Sequence, residues 1–323
     1  MICHLQFHLA GGVLMNKLFE VIYEDAELLV INKPAGLVCH PTKTDAYSSL
    51  ISRVRLYLGG RGTGDPHHEP LASGAGVPPA AGASRPGIRR GRDARADSRD
   101  GCPTSDPSQV TASICAQRMV ETAREVGQAT NTPHLINRLD RETSGVVLVA
   151  KHDAVARDLR RIWERHAVRK EYLAIVHGRV RLDAGVIDAP LGKDDNSSVA
   201  IKDCVRSDGA ASQTEFRVER RFRRAAGEFT LVRVLPRTGR KHQIRIHLAH
   251  VGHPIVGDKL YGDEEDLYLD FVKGRLTEEQ RRRLILPNQA LHAGAVRFFW
   301  RDKQWVFQAE PEGWFAEFAG AKE

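Results

Sequence analysis

Apolar positions along this chain follow two different periods. Short β-branched or alternating runs bounded by turn formers occupy residues 19–23, 28–32, 146–150, 170–176, 213–222, 228–235, 292–300 and 305–309. Such runs predict strands, and short Gly-, Asp- or Ala-rich gaps between neighbours predict hairpins around Glu24-Asp25 and Ala225-Ala226-Gly227. Helical spacing occurs at 47–58 through Leu50, Val54 and Leu58. It recurs after Asp153, a candidate cap, through Val155, Leu159, Ile162 and Trp163. A short helix is predicted over 241–249, with Gly252 and Pro254 as stop signals. The capping-box string Thr277-Glu278-Glu279-Gln280 opens a charged helix. Residues 190–209 read as irregular. Strands outnumber helices and are mostly hairpin-joined, which predicts an α+β fold with a largely antiparallel mixed sheet and flanking helices.

The pattern breaks between residues 59 and 110. This stretch holds ten of the 28 Gly and seven of the 15 Pro, and no Phe, Trp or Tyr occurs between Tyr57 and Trp163. A segment so poor in apolar bulk cannot offset its ordering entropy. A disordered insertion over about 59–130 is therefore expected, with weak helical spacing at 114–126. It would interrupt a single domain spanning 17–323. Residues 1–16 read as an extension, with Met15 a candidate start.

Charge narrows the class of partner. There are 48 Lys and Arg against 41 Asp and Glu, a net charge of +7, and the pI is about 9.3. That balance favours an anionic partner, of which nucleic acid is the commonest kind. Five scattered cysteines (Cys3, Cys39, Cys102, Cys115, Cys204) form no C-x-x-C pair, which points to a reducing compartment and no structural zinc. The isolated pair His67-His68 lacks a second cluster, so no metal is expected. No apolar run reaches membrane-spanning length and the first residues lack the form of a signal peptide. A cytoplasmic monomer without a membrane partner is expected.

The candidate chemistry lies in residues 133–151. A polar, doubly basic stretch leads through Ser144-Gly145 into the apolar run 146–150, a loop held by a core strand. Asp140 lies between Arg138 and Arg141. A carboxylate between two guanidinium groups is expected to stay ionised at neutral pH, and such a carboxylate can act as a nucleophile at a sugar carbon. On Asp140 alone, a solvated ion pair is the competing reading.

Asn137-Arg138-Leu139-Asp140-Arg141-Glu142-Thr143-Ser144-Gly145 resembles the active-site signature of the RluA family of RNA pseudouridine synthases, with Asn137 where that family usually has His. Three further blocks resemble it in order: residues 31–38 (Ile-Asn-Lys-Pro-Ala-Gly-Leu-Val), 170–178 (Lys-Glu-Tyr-Leu-Ala-Ile-Val-His-Gly), and 238–248 with its continuation 252–258. The resemblance implies isomerisation of uridine to pseudouridine in structured ribosomal or transfer RNA, by base flipping, without a cofactor. Some members add an N-terminal RNA-binding domain; with about two dozen residues before the first motif, no such separate domain is expected here. It implies that Asp140 is the nucleophile, Tyr172 the active-site phenol and Arg245 the partner of the carboxylate. Arg138 would fill the space of the flipped base. Asn137, Arg141, Thr143, Arg240, His242 and Lys33 are expected to line the RNA side of the cleft. Two alternatives stand beside this: an inactive RNA-binding protein of the same fold, and a carboxylate glycosidase, for which Glu142 is the nearest second carboxylate in sequence.

Overall fold

The computed structural model describes residues 19–41, 49–59, 132–262 and 265–320. The chain divides into two units, residues 1–60 with 130–323, and residues 61–129. The second unit lies outside the described residues, as do the extension at 1–16, the expected insertion and the expected helix at 114–126.

The two halves of the first hairpin, β1 (Glu20–Glu24) and β2 (Leu28–Lys33), form where the alternation predicts them. A two-residue strand, β3 (His134–Leu135), and the buried strand β4 (Ser144–Ala150) follow. Next come β5 (Arg169–His177), β6 (Ala184–Asp188), and the small pair β7 (Leu191–Lys193) and β8 (Asp203–Val205). The long hairpin β9 (Gln213–Arg224) and β10 (Gly227–Pro236) precedes the closing hairpin β11 (Leu291–Trp300) and β12 (Lys303–Gln308). Ten strands form one sheet in the order β1-β2-β4-β11-β5-β10-β9-β6, with β3 on β4 and β12 on β11. Neighbours are antiparallel except β4 and β11, which run parallel through His292↔Ser144 and Ala293↔Gly145. Edge strand β6 and the β7–β8 pair escape the sequence reading; the region expected to be irregular contains both of the latter.

β4 explains why its sequence is uniformly apolar rather than alternating. Val147 and Val149 pack into a cluster with Leu29, Ile31 and helix α1 (Leu50–Gly59). Val146, Leu148 and Ala150 pack on the opposite face against helix α2 (Asp153–Glu164), through Val155, Ala156 and Leu159. A strand covered on both faces loses the period-two signal. Each fully buried aliphatic side chain here contributes about 1.5–3 kcal/mol. Asp153 is the first residue of α2 rather than its cap. The N-cap position is His152, without a side-chain cap bond, and the Asp153 carboxylate is drawn instead to the His134 ring.

The third cluster joins β5, β10 and β11 to helix α3 (Gln243–His250) and the final helix. Helices α4 (Asp266–Val272), α5 (Glu278–Leu284) and α6 (Gly313–Ala319) complete the described fold. The predicted capping box of α5 is present, with Thr277 and Gln280 each bonding the other's backbone N–H. Among the described residues no helix is long and apolar enough to cross a membrane.

Where β4 meets β11, Gly145 has φ +115°, and a Cβ there would lie 2.3 Å from the Ala293 carbonyl oxygen. Only glycine permits this approach. Ser144 Oγ and His292 Nδ1 bond at 2.9 Å across the same junction, and His292 Nε2 reaches Ala309 O at 2.9 Å. This join fixes the strand end from which the Asp140 loop departs.

Candidate active site

The loop between β3 and β4 is anchored at nearly every residue except two. Asn137 extends the ladder with its side chain: Nδ2 donates to Val146 O (3.0 Å), and Oδ1 accepts from Leu148 N–H (2.8 Å). Leu139 is buried and its carbonyl accepts from the Cys39 thiol at 3.3 Å. Lys33 donates to the carbonyls of Pro34, Leu37 and Arg141. Glu142 is buried in an ion pair with Lys259 at 2.6 Å, and Thr143 Oγ1 accepts from Gln289 Nε2 at 2.5 Å. That leaves Arg138 and the Asp140 carboxylate projecting. Arg138 is exposed and has no hydrogen bond or ion pair among the described residues.

Asp140 faces a guanidinium from another part of the chain. Arg245 Nη1 donates to Asp140 Oδ2 at 2.8 Å. Its other edge makes a two-bond fork on Asp258, Nε to Oδ2 at 2.7 Å and Nη2 to Oδ1 at 2.8 Å. Asp258 Oδ1 also accepts from the backbone N–H groups of Leu260 (2.9 Å) and Tyr261 (3.1 Å). Burial works against the charge on Asp258, but Arg245 and these N–H groups hold its carboxyl below the usual carboxylate range. Burial likewise opposes the charge on Arg245, and the two carboxylates more than offset it, raising its pKa. A fork from a planar guanidinium fixes orientation as well as charge, so Asp258 aims Arg245 at Asp140.

Tyr172 on β5 faces the same cleft, its phenol pKa raised by burial and then by the Asp140 charge. His242 precedes α3 in a left-handed conformation (φ 54°). Its Nε2 lies 3.8 Å from Asp140 Oδ2 and its Nδ1 lies 2.9 Å from Tyr261 Oη. The turn that delivers His242 and Arg245 is tied by Gln243. Gln243 Oε1 accepts from Arg240 N–H (3.0 Å) and Thr238 Oγ1 (2.6 Å), and its Nε2 donates to Gln213 O and Thr214 Oγ1. The cleft between these parts has a volume of about 280 Å³, close to the lower bound for small-molecule sites. Trp163, His166 and Lys170 stand at its edge.

The structure brings Asp140, Tyr172, Arg245, Arg138, Arg240 and His242 to one cleft, with Asn137 and Thr143 on its border. Three expectations need correction. Lys33 is neither on a loop nor open to the cleft: it ends β2 fully buried, and its ammonium is taken up by three carbonyls. Burial pulls its pKa down to about 8, against the opposing charges of Cys39, Glu312 and Asp140. Arg141 does not flank the carboxylate. Its Nε donates to Gly36 O at 3.2 Å and its guanidinium lies 5.0 Å from the Phe271 ring. The cation that Asp140 meets comes from α3 instead. Asn137 and Thr143 line the cleft as expected, and their polar side-chain atoms also hold the loop. Glu142, offered as a glycosidase's second carboxylate, is sequestered by Lys259 with its pKa raised by burial.

Asp258 and Tyr261 escaped assignment at the sequence level. Asp258 closes the block 252–258 that the resemblance covers, and the preceding Gly257 has φ +79°, where a Cβ would sit 2.4 Å from Asn288 O. Nothing in the sequence near Tyr261 marks it.

Comparison with known proteins places this geometry. The family model described as RNA pseudouridylate synthase matches residues 102–250. An RNA pseudouridine synthase of Bacillus subtilis, YlyB, is 28% identical over 279 residues, covering 86% of this chain and 64% of that protein. Ribosomal large subunit pseudouridine synthase C of Pasteurella multocida is 37% identical over 180 residues, covering 56% and 51%. Its counterpart in Yersinia pestis is 41% identical over 164 residues, covering 51% and 47%. The chain thus spans about half to two-thirds of the length of these curated relatives. Among solved structures, human RNA pseudouridylate synthase domain containing 1 has a TM-score of 0.56 at 20% identity, covering 94% of this chain and 86% of that one, a likeness of fold. The α+β fold, the signature around Asp140 and these matches agree, and all point to the RluA-type family of RNA pseudouridine synthases.

Proposed function

We propose that this protein isomerises uridine to pseudouridine in structured RNA, with Asp140 as the nucleophile. The observation that carries the reading is the Asp140 carboxylate, projecting into the cleft while the buried Asp258–Arg245 pair fixes one of its oxygens. In the reaction the N1–C1′ bond of uridine breaks, the uracil turns, and a C5–C1′ bond forms. The C5 hydrogen leaves and N1 ends protonated, so the product is an isomer and nothing is oxidised. Attack at C1′, addition at C6 and a glycal route all need this carboxylate.

Tyr172 is the candidate for the proton transfer that follows. Its raised pKa keeps the phenol protonated at rest. Once Asp140 spends its charge in a covalent bond, one cause of that rise disappears, and the phenol becomes a better acid when a base must form. A uridine stacked in a helix has to leave the stack to reach Asp140. Arg138, exposed at the cleft mouth, is placed to stack in the gap or bind phosphate. Relatives named for the large ribosomal subunit make ribosomal RNA the first target to test, with transfer RNA next. The likeness to these synthases favours catalysis over an inactive RNA-binding role, because Asp140, Tyr172 and Arg245 are all present.

The test is pseudouridine mapping on total RNA from cells lacking the gene, complemented with the wild-type chain or Asp140→Asn. A site that disappears on deletion and returns only with wild type is the expected result. A site restored equally by Asp140→Asn would remove Asp140 from the chemistry.

A further inference from the structure

His242 meets Tyr261 on one side and Asp140 on the other, and the partners of the Tyr261 hydroxyl favour one of its two tautomers. Tyr261 Oη accepts from the Asp203 backbone N–H at 3.2 Å. Among the described residues its other partner is His242 Nδ1, at 2.9 Å. With its oxygen already accepting, the hydroxyl hydrogen has His242 Nδ1 as its acceptor. A hydrogen on Nδ1 as well would set two donors against each other in a buried contact. The tautomer that gives the Tyr261 hydroxyl hydrogen an acceptor bears its own hydrogen on Nε2. That nitrogen faces Asp140 Oδ2 at 3.8 Å, the same oxygen that Arg245 Nη1 binds at 2.8 Å. Asp140 Oδ1 has no such partner among the described residues.

We propose that Asp203, Tyr261 and His242 form a relay that locks His242 as the Nε2–H tautomer and makes it a positioning residue for Asp140. Oδ2 is then the anchored oxygen, held by Arg245 and flanked by the imidazole N–H, and Oδ1 is the oxygen left to attack. This inference rests on the nucleophile reading above. The relay itself is a property of the resting protein and is testable without turnover.

Several charged groups face the ring. Burial is the largest influence and lowers the His242 pKa to about 4; Arg245 and Lys241 also lower it, while Asp140 and Asp258 raise it. The ring is thus neutral at pH 7, and its two nitrogens are chemically distinct. Lys241 pairs with the Asp203 carboxylate at 2.9 Å, so the segment whose backbone N–H starts the relay is tied to the turn that carries His242.

The experiment is ¹⁵N NMR of the histidine side chains in the intact chain at pH 7, with the His242→Gln spectrum identifying the His242 signals by their loss. The expected wild-type pattern is a pyrrole-like Nε2 and a pyridine-like Nδ1. Tyr261→Phe keeps the ring that lies under Arg245 and removes only the hydroxyl. It should mix the tautomers and lower kcat for pseudouridine formation about tenfold, the effect of one lost hydrogen bond, with KM within about twofold. His242→Gln, which presents an amide N–H near the Nε2 position, should retain more activity than His242→Asn, which presents one near Nδ1.

A wild-type Nδ1–H tautomer, or a Tyr261→Phe spectrum identical to wild type, overturns the relay. A shifted tautomer with unchanged kcat overturns the positioning role. If the wild-type chain converts no uridine in any RNA tested, the nucleophile reading fails, and the spectra still decide the relay.

Discussion

Asp140 and Asp258 share one guanidinium, yet their surroundings separate them. The Asp258 side chain is fully buried, with 0% exposure, and its carboxylate accepts two backbone N–H groups and a two-bond fork. The Asp140 side chain is 32% exposed and takes one bond from Arg245. One carboxylate is therefore a fixture and the other remains available to react. Lysine cannot reproduce this division, because a single ammonium cannot make a planar fork on Asp258 while reaching Asp140. Arg245→Lys is expected to lower single-turnover rates about 100-fold or more and to cost about 2–4 kcal/mol in chemical denaturation, as Asp258 loses part of its pairing while buried. Wild-type rate and stability in that variant would show that the fork does not matter.

At the scale of elements, α2 joins the core to the cleft mouth. Its apolar face lies on β4, while Arg157, Arg160 and Arg165 are exposed, with Arg161 in a loose pair with Asp158 at 3.6 Å. Trp163 and His166, at the C-terminal end of the same helix, border the cleft. Elsewhere on the surface many guanidiniums are engaged: Arg206 with Asp195 and Asp208, Arg233 with Glu171 and Glu219, Arg301 with Glu27. Exposed guanidiniums on a helix whose C-terminal end borders the cleft suit a phosphate backbone. Replacing Arg157, Arg160 and Arg165 together by alanine is expected to weaken RNA binding. It should also make the slope of log K against log salt shallower by about two to three, with kcat at saturating RNA unchanged. Filter binding across a salt series measures both. An unchanged slope would mark these arginines as a solvated face and nothing more.

At the scale of the whole molecule, three buried histidines tie distant elements together. His242 meets Tyr261, His247 bonds Thr214 Oγ1 and Ala189 O, and His292 joins Ser144 to Ala309. Burial lowers the pKa of all three, that of His242 to about 4. Between pH 6.5 and about 4 the unfolded chain takes up protons that the folded protein refuses. Their contribution to stability is thus complete above pH 6.5 and is lost as the pH falls through the folded values. Urea midpoints are expected to fall over that window, and less steeply in His242→Gln than in wild type. Equal slopes would show that His242 does not titrate differently in the two states.

How much of this was legible before folding follows from the range of the forces involved. Turns, caps and alternation act within a few residues, so both terminal hairpins, the β9–β10 pair, the α5 capping box and the loop bearing Asp140 could be read from local pattern. The string around Asp140 and the blocks at 170–178 and 238–258 also made the family legible. The partner of Asp140 could not be read from spacing; only the resemblance named Arg245. Arg141, one residue away, points to Gly36 and Phe271, while Arg245, 105 residues away, supplies the bond. Lys33 was expected at the cleft because Pro34 and Gly36 force a turn that the resemblance places on its border; tertiary packing buried it and gave its ammonium three carbonyls. β6 and the β7–β8 pair were missed because short edge strands carry little hydrophobic signal of their own. Sequence alone determined which groups are chemically available and where local turns place them. Only the tertiary structure decided which charges meet, because the parallel join of β4 to β11 and the burial of α3 bring together residues that no local interaction connects.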